Sequence, residues 1–113
     1  MKEGFAGVLL MSLLLGGFLV AQAQESVQEI QITIRDHQFM PSEVKVKEGI
    51  KLKLSVRNED PTAEEFESFS LNREKVVRPG QTVTIFLPPL KPGGYDFFGE
   101  FHPQTANGRL IAE

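Results

Sequence analysis

Apolar and polar residues alternate along much of the chain beyond residue 29. Isoleucine occupies every second position of the segment 30–35. Valine, isoleucine or leucine does so in the segments 44–47 and 50–57, where lysines fill several of the intervening positions. Because successive side chains of a strand point to opposite faces, this period predicts strands with one buried and one solvated face. We expect the two lysine-bearing strands, which the turn Glu48-Gly49 separates, to be neighbours.

Shorter β-type segments follow, separated by turn signals rich in proline and glycine. No window of the chain shows a sustained helical period. The additional strands are predicted at 66–71, 75–77, 82–86, 95–98 and 109–112. About eight short strands with closely spaced turns predict an all-β fold, a Greek-key sandwich or barrel.

The loops of such a fold divide into two groups if successive strands alternate in direction. The loops 36–42, 58–65 and 99–107 then lie at one end, and the turn at Glu48 and the proline-rich connection 88–94 lie at the other. Nearly every candidate metal ligand beyond residue 23 belongs to the first group. This coincidence indicates a site at that end of the fold.

The first 23 residues have a different character. Lys2 precedes an uncharged apolar segment, 5–20, and the small residues Ala21 and Ala23 follow it. A membrane span needs about 20 apolar residues, so this segment is short for one, and small-x-small is a pattern at which signal peptidase cuts. We therefore expect a secretory signal peptide, residues 1–23, and a mature domain of residues 24–113. The alternative is an uncleaved N-terminal anchor.

The composition narrows the classes of function. Export permits disulfides, yet the 113 residues include no cysteine, so stability must come from packing, sheet hydrogen bonds or a bound ion. The net charge of −3 argues against a nucleic-acid partner, because phosphate binding requires a basic patch. The chain has no Ser-His-Asp order with a nucleophile turn and no glycine-rich phosphate loop. Any chemistry must therefore use a bound metal.

Two groups of residues are candidate ligands for that metal. Glu65 and Glu67 project from the same face of an extended segment, and paired carboxylates suit a cation such as iron or copper(II). His102 follows Glu100 by two positions, and imidazole with carboxylate is a common ligand set for first-row metals. The alternatives are a solvated acidic loop and an exposed loop histidine.

The first loop adds His37 and Met40. A thioether would favour copper(I), but we prefer the alternative in which Met40 packs beside Phe39 in the core. For His37 the pattern leaves the ligand and the non-ligand hypotheses open.

Both halves of the mature chain resemble cupredoxins. The segments 36–41, 44–49 and 56–60 resemble the opening F-x-P, V-x-V-x-x-G and N-x-D stretches of that family. The segment 95–102, followed by Gly108, resembles the closing Y-x-F-x-C-x-x-H…G stretch. The resemblance implies a cupredoxin-type sandwich.

The same resemblance excludes a type 1 copper centre, which needs a cysteine thiolate, two histidines and usually an axial methionine. Gly99 stands at the position of the cysteine, and His102 keeps the second histidine. A carboxylate within the segment 64–66 takes the place of the first histidine. Ala106 and Asn107, near the methionine position, supply no sulfur.

Within the cupredoxins, the chain is most similar to EfeO-type domains of bacterial iron-uptake systems and to small periplasmic cupredoxins that accompany iron permeases. Such domains carry an acid-aromatic-acid triplet, here 65–67. The resemblance implies a periplasmic protein that binds one iron or copper ion, with a membrane iron permease or another periplasmic iron-uptake protein as partner. We predict the ligands Glu65, Glu67, Glu100, His102 and His37.

Three activities of such a protein stay open: metal carriage, redox assistance to a partner, and ferroxidase turnover. The alternative function is that of a metal-free interaction module on a cupredoxin scaffold.

Overall fold

The computed structural model describes residues 26–113, so the predicted signal peptide lies outside the described residues. Among the described residues there are nine β-strands and no helix, and hence no helix that could span a membrane. The strands are β1 Val27–Arg35, β2 Gln38–Met40, β3 Glu43–Val46, β4 Lys51–Asn58, β5 Glu64–Ser68, β6 Arg73–Val77, β7 Thr82–Leu87, β8 Gly93–Gly99 and β9 Asn107–Ala112.

The strands form two sheets that pack face to face. The first sheet has the order β2-β1-β4-β7, and the second has the order β3-β9-β8-β5-β6. The pairs β1–β4 and β3–β9 are parallel and the others antiparallel. The predicted all-β sandwich is therefore confirmed. The additional strand is β2, which the sequence pattern places within the first loop. It pairs with β1 across a two-residue turn.

The core lies between the sheets and consists of the inward residues of the alternating pattern. In β4, for example, Leu52, Leu54 and Val56 are fully buried. Each such side chain stabilises the fold by about 1.5–3 kcal/mol when it leaves water. Near one end of the core, the rings of Phe39, Phe66 and Phe97 contact one another, with centroids 5.0–5.9 Å apart.

The prediction that the two lysine-bearing strands are neighbours is wrong. β3 pairs with β9 in the second sheet, whereas β4 lies between β1 and β7 in the first. The chain crosses from one sheet to the other through the turn at Glu48, where Gly49 adopts a φ of 73°. A period of two identifies the buried face of a strand but not the sheet to which it belongs.

Three loops meet at one end of the sandwich, as the alternation of strand direction predicts. The Asp60 carboxylate accepts hydrogen bonds from the backbone amides of Asp36 and His37, which joins the second loop to the first. The Thr105 hydroxyl donates to the His37 carbonyl at 2.6 Å, which joins the third loop to the first. This end carries the candidate site.

Candidate metal centre

Glu64, the first residue of β5, is a buried carboxylate with only 1% of its surface exposed. Its Oε1 atom accepts hydrogen bonds from the amides of Glu65 (3.0 Å) and Phe101 (2.8 Å). Its Oε2 atom lies 2.5 Å from Nδ1 of His102. A buried charge requires such partners or a metal ion, since desolvation of an unpaired carboxylate is strongly unfavourable.

His102 lies in the β8–β9 loop, which is closed by its own backbone. The Gly99 amide donates to the Ala106 carbonyl at 2.8 Å, and the Ala106 amide donates to the His102 carbonyl at 2.9 Å. These bonds fix the backbone on both sides of His102. The imidazole, 29% exposed, therefore stands between the buried Glu64 carboxylate and solvent.

His37 is the second residue of the two-residue turn between β1 and β2. Asp36 and His37 both have positive φ, 53° and 58°, as a type I′ hairpin turn requires. Few residues other than glycine adopt this conformation, although Asp and His are among the more tolerant. The two amide bonds to Asp60 stabilise the turn, and Oδ2 of Asp60 also lies 3.5 Å from Nδ1 of His37.

The two imidazoles stack on each other, with centroids 3.6 Å apart and an angle of 16° between the planes. His37, Glu64 and His102 each offer a ligand atom, and these atoms all lie within 4.8 Å of one another. The set combines two nitrogen donors, one anionic oxygen donor and partial access from solvent. Such donors suit a borderline divalent ion of the first transition row.

A second cluster of candidate ligands, the acidic cluster, lies on the outer face of β5. The carboxylates of Glu65, Glu67 and Glu100 have ligand atoms within 4.8 Å of one another. Loss of hydration raises the pKa of Glu65 above its ordinary value of 4.5, and repulsion from Glu74 and Glu100 raises it further. The pKa of Glu67 is raised by desolvation and then by its hydrogen bond to Glu100. The proximity of like charges therefore disfavours the ionised form of these carboxyl groups.

The structure divides the five predicted ligands between these two clusters. His37 and His102 stand together on the inner side, and Glu65, Glu67 and Glu100 stand together on the outer side. The dividing element is β5, whose residues are buried and half-buried in turn. The candidate ligand that the prediction left out is Glu64, although it lies within the segment where a carboxylate replaces a histidine. The alternation of side chains along a strand could have identified it. Phe66 is apolar and points inward, and Glu64, two residues earlier, lies on the same face.

Met40 does not fill the core, contrary to the alternative we preferred. It is 40% exposed, whereas Phe39 beside it is buried. In the hairpin of β1 and β2, Met40 pairs with Thr33 on the outer face.

A type 1 copper centre does not fit these residues. The chain has no cysteine, and Gly99 at the corresponding position is tightly enclosed. A Cβ atom there would stand 2.7 Å from Cδ of Glu64 and 2.6 Å from Cβ of Ala106. Ala106, near the place of the axial methionine, is fully buried and carries no sulfur.

The sandwich and its loop-end histidine site define the class of the cupredoxins. The family model described as cupredoxin-like domain matches residues 7–112, so the chain belongs to this family. An uncharacterized protein of Rickettsia prowazekii (strain Madrid E) is 47% identical over 90 residues, which cover 80% of this chain and 72% of that protein.

Solved structures share the fold at low identity. The metal-binding domain, with Cu(I), of the Cu(I)-exporting P-type ATPase CopA of Streptococcus pneumoniae D39 matches with a TM-score of 0.70 and 16% identity, over 82% of this chain and 92% of that one. Auracyanin A, a blue copper protein of Chloroflexus aurantiacus, matches with a TM-score of 0.68 and 13% identity, over 78% of this chain and 100% of that one. At these identities the likeness concerns the fold alone.

Proposed function

We propose that this chain is an exported, periplasmic cupredoxin-like protein that binds one iron or copper ion through His37, Glu64 and His102 and serves iron uptake as an accessory. The observation that carries the proposal is the buried Glu64 carboxylate, held 2.5 Å from Nδ1 of His102 beneath two stacked, partly exposed imidazoles. Carboxylates this deeply buried are paired or coordinate metals.

The donor set supports an ion other than type 1 copper. Two imidazoles with one carboxylate are the protein ligands of many non-haem Fe(II) sites, and divalent copper binds nitrogen and oxygen ligands more strongly than other first-row ions do. Without thiolate or thioether, the site favours divalent ions over Cu(I). The ion would add Lewis acidity or a redox couple, and this chain would supply its position and its access to a partner.

The role in iron uptake is supported by the resemblance of the triplet 65–67 to EfeO-type domains. Partial exposure of His37 (42%) and His102 (29%) suits an ion that passes to a docked permease. Export is supported by the pattern of residues 1–23, and a mature N-terminus at Gln24 in protein from the periplasm would test it. Glu65, Glu67 and Glu100 stay predicted oxygen ligands, and their separate cluster on the other side of β5 is the rival position for the same ion.

Equilibrium titration of the purified protein with Cu(II), Cu(I), Fe(II) and Fe(III) tests the proposal. We expect one site for a divalent ion, weakened more than about 10-fold in His102→Gln and Glu64→Gln, since even outer-shell losses cost that much. Glu65→Gln is the matched control, because it removes the adjacent carboxylate on the other face of β5.

Three results would contradict the proposed site or its role. A loss of about 10-fold in metal affinity in Glu65→Gln, with no loss in His102→Gln, would move the site to the acidic cluster. Wild-type protein that binds none of these ions would instead favour the metal-free interaction module. Repeated turnover of Fe(II) under oxygen would make the protein a ferroxidase instead of an accessory.

A further inference from the structure

Gly99 is a glycine for reasons of space. It is buried and ends β8, and its φ is not positive, unlike that of Gly49, Gly80 and Gly93. The backbone conformation at position 99 therefore does not require glycine. What excludes a side chain is the close approach of Glu64 and Ala106 to the position that a Cβ atom would occupy.

The Glu64 side chain cannot move aside cheaply. A Cβ atom on residue 99 would lie 2.7 Å from its Cδ and 2.9 Å from its Oε1. That same Oε1 accepts the amides of Glu65 and Phe101, and Oε2 is held by His102. Displacement of the carboxylate would leave these partly buried donors without their acceptor, which destabilises the fold.

We infer that Glu64 and Gly99 form one steric pair, in which the carboxylate occupies the space that a thiolate-bearing side chain at position 99 would need. The pair makes oxygen, and not sulfur, the anionic donor beside His102. The part of this inference that concerns metal choice rests on the proposed function, whereas the steric part concerns the metal-free protein.

A double-mutant cycle on metal-free protein tests the steric part. Gly99→Ala should lower the midpoint of thermal unfolding. The decrease should be smaller in a Glu64→Ala background, where only the Ala106 contact remains, because residues in contact couple. Gly94→Ala is the matched control on the same strand, since a Cβ there comes no nearer than 3.4 Å to the flexible Arg109 side chain. Its effect should be equal in both backgrounds.

An equal decrease for Gly99→Ala in both backgrounds would overturn the inference. A second experiment does not depend on whether Glu64→Ala folds. In an Ala106→Gly background, Gly99→Ala should still destabilise the protein, because the Glu64 contact persists. Full recovery in that background would assign the obstruction to Ala106 alone and would equally overturn the pair.

Spectroscopy tests the consequence for metal chemistry. The variant carrying both Gly99→Cys and Glu64→Ala should give the intense thiolate-to-copper band with Cu(II), because it empties the space that the cysteine needs and sets a thiolate beside two histidines. Gly99→Cys alone should give no such band. A band in the single variant at wild-type stability would contradict the steric pair. Because the stability cycle uses no metal, its outcome is independent of whether the wild type binds an ion.

Discussion

Asp60 positions the His37 imidazole without belonging to the group of ligand atoms. Its carboxylate, 8% exposed, accepts both amides of the turn that carries His37. The Asn58 side chain orients it in turn: Oδ1 accepts the Asp60 amide, and Nδ2 donates to the carbonyls of Thr62 and Val77. A chain of buried polar contacts thus runs from β4 to a histidine on a different loop.

We expect Asp60→Ala to destabilise the protein by about 1–3 kcal/mol, because two amides at the turn lose their acceptor. Metal affinity should fall about 10- to 100-fold, the usual effect of losing an outer-shell partner of a ligating histidine. Denaturant unfolding and metal titration measure the two effects.

Glu59→Gln is the control for Asp60→Ala, since Glu59 is the adjacent carboxylate and pairs with Arg35 and Arg57 at the surface. Exposed pairs of this kind contribute at most about 1 kcal/mol. If Asp60→Ala proved no more disruptive than Glu59→Gln, the positioning role would be wrong.

The residue scale also shows where prediction from sequence stops. The acids at 64–67 and both histidines could be identified as candidates, and strand parity could have separated Glu64 from Glu65. The stacking of His37 on His102 could not, because it depends on a left-handed turn that Asp60 holds from a distant loop. Contacts between residues 65 positions apart in sequence leave no local pattern.

At the scale of elements, β5 separates two electrostatic environments. Its inner face presents Glu64 to His102, and its outer face presents Glu65 and Glu67 to other carboxylates. The strands themselves were predictable from their period of two, but sheet membership was not. β3 and β4 have similar patterns but lie in different sheets, because the pairing of a strand depends on contacts with segments far away in the sequence.

The outer cluster makes stability depend on pH in a definite direction. The pKa of Glu67 is raised above 4.5 in the native state, so between the unfolded and the native pKa the native protein binds more protons than the unfolded chain. The free energy of unfolding therefore falls as pH rises through this window. Glu67→Gln should raise the thermal midpoint at pH about 7, and the gain should vanish below pH about 4.

Asp96 is the control of opposite sign. Its hydrogen bond to Arg109 lowers its pKa below 3.8, so its stabilising effect is present above that value and is lost as pH falls through the native pKa. Asp96→Asn should therefore lower the midpoint at neutral pH and have no effect in strong acid. Thermal scans across pH check both variants. A Glu67→Gln midpoint below wild type at neutral pH would contradict the raised pKa of Glu67.

At the scale of the whole molecule, the fold brings three loops to one end and leaves the site partly open. The Asp60 carboxylate accepts a hydrogen bond from the His37 amide and the Thr105 hydroxyl donates one to the His37 carbonyl, and these bonds tie the loops together. A stable scaffold with an accessible set of ligands suits an ion that is exchanged with a partner. Two predictions belong to this scale. Export is predicted from the pattern of residues 1–23, and service to an iron permease is predicted from the resemblance to EfeO-type domains.

The position of a bound ion tests the central claim most directly. Anomalous diffraction from crystals of the full mature protein loaded with Cu(II) or Fe(II) would locate it. We predict one peak at bonding distance, about 2 Å, from nitrogen atoms of His37 and His102 and an oxygen of Glu64. A peak held by Glu65, Glu67 and Glu100 alone would contradict the account.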